Sequence, residues 1–254
     1  QAAPGQQQVA ARLRQDLHAP RTPRNSPRLQ DRYSTRCAPH VIGVVEDALP
    51  WWRQFLTNEL NSVNDNPLID AEAGKVMHGG HFYGGHVAFA MDSLKQAAAN
   101  LADLLDRQLA LLVDSRYNHG LPSNLSGASA ERLALNHGYK AVQIGASAWT
   151  AEALKLTMPA SVFSRSTECH NQDKVSMGTI AARDALRVLE LTEQVAAAAL
   201  LAGLQGVHLR GDPLPAPLAE MVDVLREDFA PVSEDRALDG ELRLCLDRIR
   251  GRHW

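Results

Sequence analysis

Three polar segments of the chain carry residue types that could do chemistry, and the first is Gln30-Asp-Arg-Tyr-Ser-Thr-Arg36. Tyr33 and Arg36 are three positions apart, so on a helical turn their side chains lie on one face. A guanidinium binds a carboxylate through two parallel charge-assisted hydrogen bonds, and a nearby phenol can donate to an anion or pass a proton. The alternative is an ordinary turn with a surface ion pair.

The second segment is Ser166-Thr-Glu-Cys-His-Asn-Gln-Asp-Lys174, nine consecutive residues with polar or ionisable groups. The sequences on both sides are rich in Ala, Leu and Val and predict buried helices. A polar loop between buried helices must satisfy its hydrogen bonds internally or use them on a ligand. A solvated loop is the alternative interpretation.

The third segment is a glycine-rich loop, His78-Gly-Gly-His-Phe-Tyr-Gly-Gly-His86. Three histidines suggest a metal, but this spacing fixes no tetrahedral geometry, and no thiolate or carboxylate joins them. We therefore expect no metal here. The glycines allow another group to approach the backbone closely, and Phe82 supplies an apolar wall.

The elements that must position these segments are helices. Apolar spacing predicts helices over residues 5–17, 39–60, 87–113, 130–156, 176–203, 218–229 and 238–249. The helix over 87–113 has a leucine stripe and an alanine pair, so we expect it to be among the longest and to be buried mainly against other chains. No strand pattern competes with these helices.

The predicted fold is therefore all-α, a bundle of long helices. We expect residues 1–208 to form the bundle portion with the active-site loops, and residues 209–254 to form a C-terminal segment of short helices. Residues 18–28 contain three prolines and three arginines, which predict an exposed basic loop.

Composition limits the class of protein. Of 254 residues, 45% are hydrophobic and 22% charged, and the formal net charge of −3 gives no reason to expect nucleic acid or a membrane as partner. Three scattered cysteines favour a reducing cytoplasm. The chain starts at Gln1 in mid-pattern and without Met, so we expect it to be one piece of a longer or cut protein.

Six motifs, in this order, resemble the histidine, phenylalanine and tyrosine ammonia-lyases and the related 2,3-aminomutases. They are the segment from Gln30 to Arg36, Glu59-Leu-Asn-Ser-Val-Asn-Asp-Asn-Pro67, His78-Gly-Gly-His-Phe82, Gly120-Leu-Pro122, His170-Asn-Gln-Asp173 and Val175-Ser-Met-Gly178. The resemblance spans residues 5–182 and implies the C-terminal half of an all-helical homotetramer. Each active site would take loops from three subunits, and the N-terminal half of the same protein would be a partner.

The resemblance also implies a cofactor. Family members use a methylidene-imidazolone (MIO) electrophile, which forms by cyclisation of an internal Ala-Ser-Gly. This chain has no such tripeptide. In the family it lies upstream of the part seen here, as does the tyrosine that removes the β-proton, so we expect the chain alone to be inactive.

Site residues follow from the matched motifs. By position in the first motif, Arg36 would hold the substrate carboxylate. Tyr33 would be the catalytic residue beside the electrophile, with Gln30 in its hydrogen-bond network.

The other two loops supply the rest of the implied site. Phe82 would pack near the electrophile and the substrate, and Glu168 would face the amino group. Gln172 and its neighbour Asn171 complete the predicted substrate site. His81 departs from the family pattern, because most members have Asn at that position.

The residue type at Gln172 indicates which amino acid is the substrate. Histidine ammonia-lyases resemble this stretch but carry Glu there, whereas the phenylalanine and tyrosine enzymes carry His-Asn-Gln-Asp, as in this chain. A neutral amide suits an uncharged ring better than a cationic imidazole. We therefore expect tyrosine or phenylalanine as substrate, with tyrosine in a bacterial enzyme preferred. A histidine ammonia-lyase and a non-catalytic helical scaffold subunit are the alternatives, and the choice between lyase and aminomutase stays open.

Overall fold

A computed structural model describes residues 2–17 and 29–252, and within them the fold is all-α, as predicted. The helices are α1 (Pro4–Asp16), α2 (Tyr33–Arg36), α3 (Ala38–Leu60), α4 (Gly85–Val113), α5 (Lys140–Lys155), α6 (Gly178–Arg210), α7 (Ala216–Arg226) and α8 (Asp239–Gly251). The predicted basic loop over 18–28 lies outside the described residues. No helix in the described ranges is long and apolar enough to cross a membrane.

A small β-hairpin is present although the sequence showed no strand pattern. Strand β1 (Leu68–Asp70) pairs antiparallel with β2 (Lys75–Met77), and Ile69 lies opposite Val76. The turn between them contains Gly74 in the left-handed region, with φ at 62°. Each strand has three residues, which is too short for an alternating pattern to stand out in the sequence.

The centre of the molecule is the pair of long helices α4 and α6. They have 29 and 33 residues, so the helix predicted over 87–113 is among the longest in the described chain. The face between them consists largely of alanine, and Ala88, Ala99 and Ala202 are fully buried. Alanine favours the helix and leaves room for close approach of two backbones. The expectation that α4 also packs against other chains stays a prediction.

Helix α5 begins ten residues later than predicted, at Lys140. The acidic pair Glu234 and Asp235 holds the preceding residues in an irregular loop. Glu234 accepts two hydrogen bonds from Arg132 at 2.9 Å, and Asp235 accepts the backbone N–H groups of His137 and Gly138 at 2.7 and 2.9 Å. The loop therefore takes its shape from residues about 100 positions away in the chain.

The helices after α6 pack on its C-terminal half. Leu201 on α6, Leu225 on α7 and Cys245 on α8 lie in one hydrophobic cluster. Gln205 of α6 holds the segments before α5 and between α7 and α8: its Nε2 donates to the carbonyl oxygens of Leu125 and Val232, and its Oε1 accepts the N–H of Val232, each at 3.0 Å. Helix α6 ends at Arg210, later than the sequence predicted, where Gly211 adopts a left-handed φ of 66°.

Candidate functional site

Four of the predicted site residues line one cleft of about 650 Å³. We call it the glycine-loop cleft, because the loop before α4 and the polar loop before α6 form it. Its lining includes Phe82 from the first loop and Glu168, Asn171 and Gln172 from the second. The structure therefore brings together two segments that are about 90 residues apart in the sequence.

The polar loop is a clasped hairpin. At its base, Ser164 Oγ accepts the N–H of Val175 at 2.9 Å. Further out, Thr167 and Gln172 exchange two backbone hydrogen bonds, at 2.8 and 3.2 Å. The tip between them, residues 168–170, has three successive left-handed φ values of 52°, 51° and 69°. Such backbone is costly for residues other than glycine, so the clasp must hold the tip that carries Glu168.

The lining of this cleft is mixed in polarity. Asp173 and Lys174 add charges of opposite sign, whereas Phe82 and Ile180 are apolar. A Cβ atom added at Gly80 would meet no protein atom within 4 Å, so the space beside this residue is open. A cleft with apolar walls and a few polar groups suits a small amphipathic molecule.

The segment that begins at Gln30 lies elsewhere. Gln30 and Tyr33 line a second cleft of about 660 Å³, the α2 cleft, together with Arg107 of α4. Helix α2 is held to the C-terminal half of α4, because Gln108 Nε2 donates to the carbonyl oxygen of Ser34 at 2.8 Å. Tyr33 is 71% exposed in the single chain.

Arg36 and Tyr33 share one face of α2, as their spacing predicted. The guanidinium carbon of Arg36 lies 4.3 Å from the centre of the Tyr33 ring. Arg36 Nε donates to the carbonyl oxygen of Asp31 at 2.9 Å. Both side chains are exposed, so a carboxylate could reach the guanidinium group of Arg36.

The two clefts lie at opposite ends of α4. The glycine loop leads into Gly85, the first residue of α4, whereas α2 binds Gln108 close to the other end. At 1.5 Å per residue, these two points are about 35 Å apart along the helix axis. The residues predicted to form one site therefore form two separate groups within a single chain.

The histidines of the glycine loop do not converge. Within residues 2–17 and 29–252, no three His, Cys, Asp or Glu side chains are placed to hold a metal ion. The ring of His86 packs edge-on against Phe55, with 4.9 Å between ring centres.

Several residues of the cleft were not assigned from the sequence. Asn66 lines it, and its Oδ1 accepts the N–H of Gly79 at 2.9 Å. Asn66 belongs to a quoted motif, so the signal was present, but nothing in the spacing showed that it holds the glycine loop. Tyr83 and Met177 also line the cleft.

Comparison with known proteins identifies the family and agrees with this fold. The sequence model of the family described as "Aromatic amino acid lyase" matches residues 1–227. The chain therefore belongs to the aromatic amino acid lyase family, whose similar members include both ammonia-lyases and aminomutases.

Its relatives carry different substrate names. The chain is 39% identical to the histidine ammonia-lyase of Caenorhabditis elegans, over 98% of this chain and 38% of that protein. It is 41% identical to the tyrosine ammonia-lyase of Cereibacter sphaeroides, over 84% of this chain and 41% of that protein. The chain thus spans about two fifths of the length of these relatives.

Solved structures show the same likeness. The histidine ammonia-lyase of Trypanosoma cruzi superposes with a TM-score of 0.87 at 33% identity, over 98% of this chain and 46% of that one. The tyrosine aminomutase of Streptomyces globisporus superposes with a TM-score of 0.83 at 34% identity, over 97% of this chain and 47% of that one.

Proposed function

We propose that this chain is part of an enzyme that eliminates ammonia from tyrosine or phenylalanine, or moves its amino group, through a methylidene-imidazolone electrophile carried by another part of the protein. The observation that carries the proposal is the position of Gln172, which lines the same cleft as Phe82 and Glu168. The neutral amide of Gln172 and the aromatic wall of Phe82 suit an amino acid with an uncharged aromatic ring, and the Glu168 carboxylate suits its ammonium group.

The separation of the two clefts supports an assembly. No side chain spans about 35 Å, so the α2 cleft and the glycine-loop cleft can serve one substrate only if different chains contribute them. Helices α3, α4 and α6 each carry a largely exposed apolar side chain, namely Val44 at 61%, Phe89 at 58% and Leu186 at 64%. We infer that these side chains belong to the faces by which the chains associate. We therefore include a homotetramer with shared active sites, and the N-terminal half of the protein, in the proposal.

Tyr33 would act from the α2 cleft, and Arg36 from the same face of α2 beside it. The planar fork of Arg36 would hold the substrate carboxylate and restrict its rotation, which keeps the bonds to be broken aligned. Tyr33 would stand beside the electrophile, with a hydroxyl that can donate a hydrogen bond or transfer a proton. Gln30 lies in the same cleft and would orient that hydroxyl.

The glycine-loop cleft suits a small planar heterocycle. Phe82 offers a ring face, Gln172 offers an amide that donates and accepts hydrogen bonds, and the bare backbone at Gly80 leaves room. These residues would hold the methylidene-imidazolone group, which when bound supplies an electrophile that makes the amino group a better leaving group. Glu168 would attract the substrate ammonium, and Asn171 would complete the polar side of the cleft.

Histidine is the second candidate substrate. It is favoured by the likeness to the histidine ammonia-lyases of C. elegans and T. cruzi. It is disfavoured by the neutral amide of Gln172, which offers an imidazolium no opposite charge.

The test compares the assembled wild-type enzyme with the Gln172→Glu variant on tyrosine, phenylalanine and histidine. The wild type should turn over tyrosine or phenylalanine and act poorly on histidine. Gln172→Glu should shift the ratio of kcat/KM values toward histidine by about 10²–10³, because a carboxylate that an imidazole can pair with replaces the amide. Gln143→Glu, the same chemical change on α5 outside both clefts, should leave the ratio unchanged.

The reaction products would distinguish the substrates, and would also distinguish a lyase from an aminomutase. Chromatography would quantify urocanate, the cinnamate-type acids and the β-amino acids. Urocanate as the dominant wild-type product would overturn the tyrosine or phenylalanine assignment. An excess of β-amino acid over the cinnamate-type acid would assign the enzyme as an aminomutase, and the reverse as a lyase.

A further inference from the structure

A charge cluster centred on a buried lysine joins α4, which carries Asp92 and Lys95, to α6, which carries Asp184. Lys95 is fully buried, and its ammonium lies 2.9 Å from Asp92 Oδ1 and 3.5 Å from Asp184 Oδ2. The same ammonium donates to the carbonyl oxygen of Met158 at 2.7 Å. The proposed function uses none of these side chains.

Asp92 binds the segment that leads into the polar loop. Its two carboxylate oxygens accept the backbone N–H groups of Ala160 and Ser161, each at 2.9 Å. Burial raises the pKa of Asp92, but the hydrogen bonds from Ser161, Lys95 and Ala160 outweigh burial and hold the pKa below its ordinary value. Asp92 therefore binds both N–H groups as a carboxylate.

The anchored segment continues directly into the clasp of the loop. The N–H of Phe163 donates to the carbonyl oxygen of Ala160 at 3.0 Å, which fixes the turn after the anchor. The next residue is Ser164, whose hydroxyl closes the loop on Val175. Ser161, which Asp92 binds, is thus three residues before the base of the hairpin that carries Glu168 and Gln172.

The other end of the loop is held at the same place by apolar contacts. Met177 packs against the small cluster of Ala88, Ala160 and Ala181. This cluster joins α4, the anchored segment and the start of α6. Both ends of the loop are therefore attached to the first turns of α4.

Stability alone does not account for a charge cluster at this position. A buried ion pair has a large desolvation cost, and replacing it by well-packed apolar residues is often neutral or stabilising. Two directed hydrogen bonds from backbone N–H groups to one carboxylate do something that apolar side chains cannot: they define the position of the bound segment.

We propose that Asp92 and Lys95 are positioning residues, which fix the root of the polar loop over residues 164–175 on α4 and thereby set where Glu168 and Gln172 stand in the cleft. Asp92 holds the segment, and Lys95 neutralises Asp92 and adds a bond to Met158. The hydrogen bonds to Asp92 should determine how rigidly residues 164–175 are held. Because this rigidity can be measured without any substrate, the inference goes beyond the proposed function.

The first test is amide hydrogen exchange on the assembled protein, with Asp92→Asn and Asp92→Ala as variants. Exchange over residues 164–175 should rise about 10-fold in Asp92→Asn, which keeps one acceptor oxygen, and more in Asp92→Ala. The matched control is Gln205→Leu, which removes a buried hydrogen-bonding side chain at the opposite end of α6. It should lower Tm and leave loop exchange at the wild-type rate.

Two outcomes would overturn the proposal. One is an amide exchange rate of the loop in Asp92→Asn that equals the wild-type rate. This variant keeps the side-chain shape, so it remains informative if Asp92→Ala does not fold. The other is an equal rise of loop exchange in Gln205→Leu at the same loss of Tm, which would show that the loop only follows global stability.

The second test is kinetic and rests on the proposed function. Asp92→Asn should lower kcat about 10-fold or more and also raise KM, because Glu168 and Gln172 would both be misplaced. A rise of KM at unchanged kcat would contradict it. An inactive wild-type assembly would overturn the proposed function and leave the exchange result standing.

Discussion

Arg36 and Tyr33 show how a short helix can present two groups as one unit. The guanidinium lies over the phenol ring at 4.3 Å, and Nε is bonded to the carbonyl oxygen of Asp31. A cation–π contact and a backbone hydrogen bond restrict the rotation of a long side chain, so less conformational entropy is lost when it binds an anion. Their roles in binding and catalysis stay predictions.

The first prediction concerns the carboxylate contact of Arg36. In the assembled enzyme, Arg36→Ala should lower kcat/KM by about 10² or more, because it removes charge-assisted bonds worth a few kcal/mol. Arg36→Lys should recover only part of the loss, since an ammonium does not make the two parallel bonds of a guanidinium.

Steady-state kinetics on tyrosine and phenylalanine would measure these effects. Arg116→Ala is the control, because Arg116 is an exposed arginine whose fork binds Asp114 of the same loop. It should leave kcat/KM unchanged. Near-normal kinetics of Arg36→Ala would rule out Arg36 as the carboxylate anchor.

At the scale of elements, the crossing of α1 and α3 depends on two glycines. A Cβ atom added at Gly43 would lie 2.4 Å from the backbone nitrogen of Gln6, and one at Gly5 would lie 2.3 Å from the carbonyl oxygen of Gly43. The N–H of Gly5 also donates to Asp47 Oδ1 at 2.8 Å, so an α3 side chain caps the start of α1. The two helices are in direct backbone contact.

The second prediction follows from this crossing. Gly43→Ala should lower the free energy of unfolding by about 1–3 kcal/mol, because backbone atoms of α1 must move to admit a methyl group. Urea denaturation followed by circular dichroism would measure the change. Gly240→Ala on α8 is the control, because a Cβ atom there meets nothing within 4 Å. It should be neutral or slightly stabilising, and an equal loss in both variants would refute the close-contact explanation.

At the scale of the whole molecule, several long helices expose large apolar side chains in the single chain. Leu186 on α6 is 64% exposed, although its neighbours Ala185 and Val188 are buried. We expect another chain to cover this leucine in the assembly.

The third prediction is that Leu186→Glu prevents assembly. Placing a charge in an apolar contact costs several kcal/mol, so the variant should sediment as a smaller species at concentrations where the wild type assembles. Leu244→Glu on α8 is the control for an added charge outside the central bundle. Sedimentation velocity would compare them, and wild-type assembly of Leu186→Glu would exclude this face as the association surface.

Much of the fold could be predicted because helices are encoded locally. The period of apolar residues placed α3, α4, α7 and α8 within a few residues of their observed bounds. The polar motifs also identified the loops that line the clefts, because polar groups between buried helices must find partners. These features depend on residues close together in the sequence.

Other features of the fold and the site depend on contacts between residues that are distant in the sequence. The start of α5 depends on Glu234 and Asp235, about 100 residues away, and the anchor of the polar loop depends on Asp92, 68 residues before Ala160. The division of the predicted site into two groups depends on the length of α4, which separates α2 from the glycine loop. Local periodicity determined which residues are helical, whereas contacts between residues distant in sequence determined where the chemical groups lie.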